Sequence, residues 1–199
     1  MAQTELSTRP TAPAANPPAV YAARPVDLSN YRLSSLGLDL GWGGPYGGLG
    51  VNYAYLITPN IDLNAGLGVG VGGKIGVGAR YYLNPARRLS PYFGVNLARS
   101  GQINDVTVTL DEGLSTEEKV IYNIAPTGLL HLRAGLRWQP GRVGLLGTLG
   151  YGARLTGDPV TYSYTASGLP PSTRMRTIVD IVGPGGLEVS LGMSVGLGR

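Results

Sequence analysis

The sequence predicts an all-β fold: an eight-stranded antiparallel up-and-down transmembrane β-barrel preceded by a flexible N-terminal tail. Three observations lead to this prediction. Apolar residues alternate with small or polar ones from residue 33 onward, the alternating segments are even in number, and aromatic residues lie near the segment ends. The 199 residues are enough for one such domain, residues 33–199, plus a tail, residues 1–32.

The composition favours a membrane barrel over a soluble domain. Charged residues make up 14% of the chain, below the roughly 25% of soluble domains, and glycine is abundant at 32 residues. No apolar stretch reaches the ~18 residues of a transmembrane helix. The chain has no cysteine, so neither a disulfide framework nor a thiolate metal site is expected. The net charge of +4 is spread out, and no basic run suggests nucleic acid as a partner.

The tail is rich in proline and alanine, which break regular strand pairing. We expect an extended, flexible segment, and the alternative is a plug or a tether to a protein partner. The chain begins Met1-Ala2-Gln3 and turns polar at once, without a signal peptide. Because a barrel of this kind must be exported, we interpret the sequence as a mature chain with an added start methionine.

Eight segments carry the alternation, each with one apolar face and one face of Gly, Asn, Ser or charged residues. The lengths of the connections agree with a membrane barrel: the second, fourth and sixth are short, whereas the fifth (about 100–119) and seventh (about 156–185) are long. The first and third, on the same side as the long ones, are also short. With both termini in the periplasm, the long connections are extracellular loops. The segments are 36–42, 48–55, 61–71, 74–82, 92–98, 130–138, 145–154 and 187–197.

Two features predict that the apolar face meets lipid. Small residues on the other face suit a cramped barrel interior and would make a poor soluble surface. The aromatic residues keep the apolar phase and cluster near the two ends, as in the girdles at membrane interfaces. The predicted girdle residues are Tyr53, Tyr55, Tyr81, Phe93 and Trp138 near the short-turn end and Trp42 and Tyr151 near the other.

Two stretches carry a resemblance to a known family. Residues 80–99, RYYLNPARRLSPYFGVNLAR, resemble the segment of OmpW-like and related small outer-membrane barrels in which an aromatic strand end, a short turn and a Pro-Tyr-x-Gly strand start recur. Residues 49–69 are similar to the preceding hairpin. The resemblance implies an eight-stranded barrel in the bacterial outer membrane. The chain departs from the wider class by ending Leu197-Gly198-Arg199 without an aromatic residue. The hydrophobic passage associated with OmpW-like proteins is not carried over, because the inner face is polar.

The inner phase carries charged residues that need partners in a low-dielectric lumen. We expect an Asp62–Arg80 pair at the short-turn end, an Arg154–Glu188 pair at the other, and Asp39 reaching across to Arg133 or Arg137. A closed polar network is favoured. The alternative is a narrow channel that prefers anions, for which the glycines would leave space. The predicted network is Asp39, Asp62, Lys74, Arg80, His131, Arg133, Arg137, Arg154 and Glu188.

The functional prediction is a non-enzymatic outer-membrane protein with a structural or partner-binding role through its tail and extracellular loops. The fifth connection alternates at 106–110 and 120–124, so we expect the flanking strands to extend as a hairpin whose edge could recruit a partner strand. Arg99 lies on the lipid-facing side of its segment. We expect its side chain to snorkel to the interface or to bind a lipopolysaccharide phosphate. His131, the only histidine, lacks an adjacent Ser, which makes a lipid-modifying enzyme a distant third hypothesis. No cofactor or metal is expected.

Overall fold

The computed structural model describes residues 31–165 and 168–198. The predictions made for the tail therefore fall almost entirely outside the described residues. The strands are β1 (Ser34–Trp42), β2 (Leu49–Thr58), β3 (Ile61–Val69), β4 (Lys74–Tyr82), β5 (Leu89–Ser100), β6 (Ile103–Leu110), β7 (Glu118–Ile124), β8 (Gly128–Trp138), β9 (Val143–Arg154), β10 (Val160–Thr165) and β11 (Gly186–Leu197), and the described helix is α1 (Thr173–Val182).

Eight of these strands close into a barrel. Their order around the wall is β1-β11-β9-β8-β5-β4-β3-β2, and every neighbouring pair is antiparallel. The strands follow one another along the chain apart from β6, β7 and β10, so the barrel has up-and-down topology. This confirms the predicted fold class, and the eight predicted segments are the eight strands of the wall.

The wall is apolar outside and polar inside. Along β2, Leu49, Val51 and Tyr53 are each between 43% and 51% exposed, whereas the alternate residues Asn52 and Ala54 are buried. A soluble barrel would show the opposite distribution, because apolar side chains leave water when they can. An exposed aliphatic face all around a closed sheet suits hydrocarbon, in which every backbone polar group must find its partner within the wall.

A second sheet lies at the end with the long connections. It has the order β10-β7-β6, and α1 packs on it through Met175 and Val179, which are one helical turn apart and buried against Val120, Tyr122 and Ile124. The helix begins where the Ser172 hydroxyl accepts a hydrogen bond from the Met175 N–H at 3.1 Å. We call β6, β7, β10 and α1 the loop subdomain.

The loop subdomain refines two predictions. The hairpin predicted in the fifth connection is present as β6 and β7, but it forms a sheet separate from the barrel instead of prolonging the wall. The seventh connection contains β10 and α1, neither of which was predicted. No helix in the described part of the chain is long and apolar enough to cross a membrane.

Candidate functional site

Glycines on the inner face make room for large polar side chains on neighbouring strands. A Cβ atom on Gly78 would lie 2.3 Å from Asn96 Nδ2, and one on Gly152 would lie 2.8 Å from His131 Cε1. The same relation holds for Gly135, where a Cβ would lie 2.8 Å from the Tyr92 ring. The space that these glycines leave is therefore filled by their neighbours. An eight-stranded barrel is only wide enough for its own side chains, so such pairing decides how its interior packs.

The β1–β2 connection also enters the interior. Tyr46, 3% exposed, donates its hydroxyl proton to Asn64 Oδ1 and accepts a hydrogen bond from Asn96 Nδ2 at 3.1 Å. Asn96 Nδ2 also donates to Asn64 Oδ1 at 2.7 Å, which links β3 with β5 over Gly78 of the intervening β4. On the same side, Lys74 Nζ donates to the Gly44 carbonyl at 3.1 Å. Sequence reasoning missed Tyr46 because it lies in a connection, where alternation gives no signal.

Glu188 is the centre of the buried network. Its Oε1 lies 2.7 Å from Arg133 Nη2 and accepts hydrogen bonds from Arg133 Nε at 2.9 Å and from the Ser190 hydroxyl at 3.1 Å. Its Oε2 lies 3.5 Å from His131 Nδ1, and both side chains are fully buried. Arg133 reaches Glu188 from two strands away because Gly150, which pairs with both residues, has no side chain to separate them.

A second charged cluster lies near the short-turn end. Arg80 Nη2 is 3.0 Å from Asp62 Oδ2, and Arg80 Nε donates to the same carboxylate at 3.0 Å. The Tyr82 hydroxyl donates to Asp62 Oδ2 at 2.7 Å. The structure thus contains the predicted Asp62–Arg80 pair. Arg137 lies beside this cluster, with its guanidinium 3.9 Å from the centre of the Tyr82 ring and Nη2 3.3 Å from the Pro85 carbonyl.

Two predicted ion pairs are wrong. Arg154 does not pair with Glu188; it lies at the barrel rim, where Nη1 is 2.7 Å from Asp180 Oδ1 of α1 and Nε donates to the Pro184 carbonyl at 2.7 Å. The unpredicted helix supplies this carboxylate above the rim.

Asp39 does not reach Arg133 or Arg137 within the described residues. It accepts a hydrogen bond from Asn52 Nδ2 on β2 instead. A neighbouring strand provided the nearer donor, so the carboxylate did not need to cross the lumen.

All seven predicted girdle residues lie on the outer face and are between 43% and 60% exposed. The strand register places them in two groups. Tyr81 pairs with Phe93 towards the short-turn end, whereas Trp42 pairs with Val189 and Tyr151 with Leu187 towards the loop subdomain. Arg99 is also on the outer face, at the end of β5 next to that subdomain.

The described interior contains no recognisable catalytic or metal site. His131 has Glu188 beside it, but both of its ring nitrogens lack a hydrogen-bond partner, and no hydroxyl nucleophile contacts it among the described hydrogen bonds. In the described part of the chain, no group of three or more His, Cys, Asp or Glu side chains could hold a metal ion. The buried lumen residues suit a packed polar core, and the channel alternative stays a prediction.

The closed eight-stranded wall, its exposed aliphatic face and its hydrogen-bonded polar interior define a small transmembrane β-barrel. Solved structures with a similar fold include neisserial surface protein A (NspA), with a TM-score of 0.43 and 14% identity over 82% of this chain and 94% of that chain. Acinetobacter baumannii CarO has a TM-score of 0.45 and 14% identity, covering 84% of this chain and 99% of that chain. A major outer membrane protein from Thermus thermophilus has a TM-score of 0.40 and 16% identity, covering 81% of this chain and 98% of that chain. No protein-family model matches the chain, and no curated protein is similar to it in sequence.

Proposed function

We propose that the chain is a non-enzymatic integral protein of the bacterial outer membrane that presents its loop subdomain to a protein partner outside the cell. The observation that carries the proposal is the subdomain itself: two long connections fold into a sheet and a helix with a buried core of their own. Connections that serve only to join strands need no core, and ordered loops on a rigid scaffold are where binding function is commonly found.

The outer face supports the membrane placement. Leu191, at mid-height of β11, is 71% exposed, and the outward aliphatic residues of the other wall strands are also exposed. Such a surface would aggregate in water but is suited to hydrocarbon. Arg99 lies just below the loop subdomain, at a height where its guanidinium could meet a lipopolysaccharide phosphate.

The contacts between barrel and subdomain support a presenting role. Arg154 joins the barrel rim to Asp180 of α1, and Val71, between β3 and β4, packs against the buried core of the subdomain. Within the subdomain, the Ser172 N–H donates to Glu118 Oε1 at 2.8 Å. The first two contacts hold the subdomain on the barrel and the third orders it internally, so its surface is pre-ordered for a partner.

We place the binding surface at the free edge of β6, one of the two edge strands of this sheet. In the described residues β6 pairs only with β7, on one side, so its other side presents unpaired backbone groups. The stretch Val106–Leu110 carries no charge and no proline, and it is rich in β-branched residues. An extended segment of a partner can add to such an edge as a further strand. The partner we propose therefore contributes a β-strand.

Site-specific photocrosslinking tests this proposal. A photoreactive residue at Thr107, which is exposed on β6, should form an adduct in intact cells of the bacterium, and the same residue at Thr177, exposed on α1, is the matched control. Equal adducts at both positions, or none at Thr107, would contradict strand addition.

Proline variants test whether the adduct depends on backbone pairing. Consecutive N–H groups of a strand point to opposite sides, so Val108→Pro and Thr109→Pro remove one N–H that faces β7 and one that faces the free side. The variant that loses the N–H on the free side keeps the β6–β7 hairpin intact. It should lose the Thr107 adduct, because the partner strand can no longer pair there. Conductance measured on the purified protein in planar bilayers should stay at background, and reproducible openings would support the channel alternative instead.

A further inference from the structure

A cavity opens at the end of the barrel opposite the loop subdomain. Its volume is about 620 Å³, within the range of sites that bind small molecules. Its inner wall is formed by the Asp62–Arg80–Tyr82 cluster and its mouth by the short turns at residues 85–88 and 139–142. Because the turns surround the opening, a ligand enters from the aqueous side along the barrel axis.

The charge of this cavity is strongly unbalanced. Asp62 is the only carboxylate among the described residues that line it, and it is already bound to Arg80 and Tyr82. The other arginines thus have no counter-charge within this described lining. The lining arginines are Arg32, Arg80, Arg87, Arg88, Arg137 and Arg142.

Neutral carbonyls hold several of these guanidinium groups in place. Arg137 Nη2 lies 3.3 Å from the Pro85 carbonyl, Arg142 Nε donates to the Gly196 carbonyl at 2.9 Å, and Arg32 Nη1 donates to the Gly198 carbonyl. A carbonyl fixes the position of a guanidinium group without cancelling its charge. These three arginines are therefore held in place but remain available to an anion.

One donor at the cavity is buried without any partner in the described part of the chain. Arg137 Nε makes no hydrogen bond there, although it is shielded from solvent. An unmade hydrogen bond of a buried charged group is costly, so such an atom usually has a ligand or a structural reason. The Tyr82 ring under Arg137 keeps the guanidinium plane fixed and leaves this edge free.

We propose that this cavity is a binding site for a phosphate-bearing anion. Several guanidinium groups around one opening suit an anion with several oxygens and more than one charge, because each planar guanidinium can donate two parallel hydrogen bonds. The phosphate group comes either from a soluble compound or from a phospholipid headgroup of the adjacent leaflet. The site lies at the other end of the molecule from β6. Anion binding here therefore does not depend on the proposed partner binding.

Calorimetric titration of the full chain in detergent micelles tests the proposal, with inorganic pyrophosphate as the soluble probe and dihexanoyl phosphatidylglycerol as the headgroup probe. We expect saturable binding of at least one probe, weakened by added salt. Saturation with pyrophosphate identifies a soluble ligand, and saturation with the lipid alone identifies a headgroup. The proposal is overturned if neither probe saturates.

Three variants locate the binding. Arg137→Gln removes the orphan donor and should weaken binding about tenfold, the effect of losing one charge-assisted hydrogen bond. Arg88→Gln lies on an exposed turn, so it should fold normally and still weaken binding. Arg174→Gln in the loop subdomain removes the same charge from the opposite end and should bind as the unaltered protein does. Equal affinities in all three variants would refute the site.

Discussion

Replacing Glu188 by alanine should destabilise the barrel more than any other single change to the lumen. The carboxylate is fully buried, forms an ion pair with Arg133 and accepts hydrogen bonds from Arg133 Nε and the Ser190 hydroxyl. Its removal leaves the Arg133 guanidinium, 6% exposed, without a counter-charge in the middle of the wall. Of the other carboxylates in the described barrel interior, Asp62 is paired with Arg80, and Asp39 is hydrogen-bonded to Asn52 and forms no ion pair with Arg133.

The magnitude follows from the geometry. At the 2.7 Å between Arg133 Nη2 and Glu188 Oε1, the attraction is about 6 kcal/mol for an effective dielectric constant of about 20. Desolvation of both groups offsets part of that attraction, and breaking a buried pair by removing one partner costs about 3–5 kcal/mol. We therefore expect Glu188→Ala to lower the free energy of unfolding by about 3–5 kcal/mol.

Reversible urea unfolding in lipid vesicles, followed by tryptophan fluorescence, measures this loss. Glu188→Gln keeps the size and one acceptor oxygen but not the charge. Its free energy of unfolding should therefore lie between those of the unaltered protein and Glu188→Ala. The double variant Glu188→Ala/Arg133→Met removes both charges and should recover part of the loss. If Glu188→Ala unfolds within about 1 kcal/mol of the unaltered protein, the buried pair does not stabilise the barrel as argued.

Three further predictions concern the lumen, the outer face and the loop subdomain. Gly78→Val should lower the free energy of unfolding in urea by about 1–3 kcal/mol because its Cβ would overlap Asn96. Gly147→Ala should be nearly neutral, because its Cβ would meet only Leu191 Cδ2, at an ordinary contact distance of 3.9 Å; equal losses would contradict the packing argument. Leu149→Arg, at mid-height on the outer face, should cost about 2–4 kcal/mol in vesicles, and no loss would mean that this face does not meet hydrocarbon. Met175→Ala should destabilise only the loop subdomain, by about 2–5 kcal/mol. Amide exchange should become faster in β7 and stay unchanged in the barrel; faster exchange throughout would show that the two parts unfold together.

The wall could be predicted from the sequence because period-two alternation fixes both the strands and the face that each residue takes. All eight strands of the barrel fall within the predicted segments or extend them by a few residues. The same alternation placed Asp62 and Arg80 on adjacent strands at one height, and they pair directly in the register. Local periodicity is sufficient wherever partners lie on neighbouring strands.

The contacts that sequence reasoning missed depend on residues that are not neighbours in the wall. Arg133 meets Glu188 only because Gly150 lies between them, and a prediction made from adjacent strands assigned Glu188 to Arg154 instead. The helix was missed because its ten residues lie in a connection after two prolines. Two signals could have revealed it: the i, i+3, i+4, i+7 spacing of Met175, Ile178, Val179 and Val182, and the Ser172 N-cap.

The hydroxyl of Tyr46 has a consequence for how the barrel comes apart. This side chain belongs to the first hairpin, yet it is bonded to Asn64 on β3 and, through Asn96, to β5. Separation of β1 and β2 would remove the Tyr46 hydroxyl from Asn64 and Asn96 in a place that water reaches poorly. Loss of one hairpin at a time is therefore costly at its first step. The barrel should unfold in one cooperative transition, without a state in which only β1 and β2 have separated.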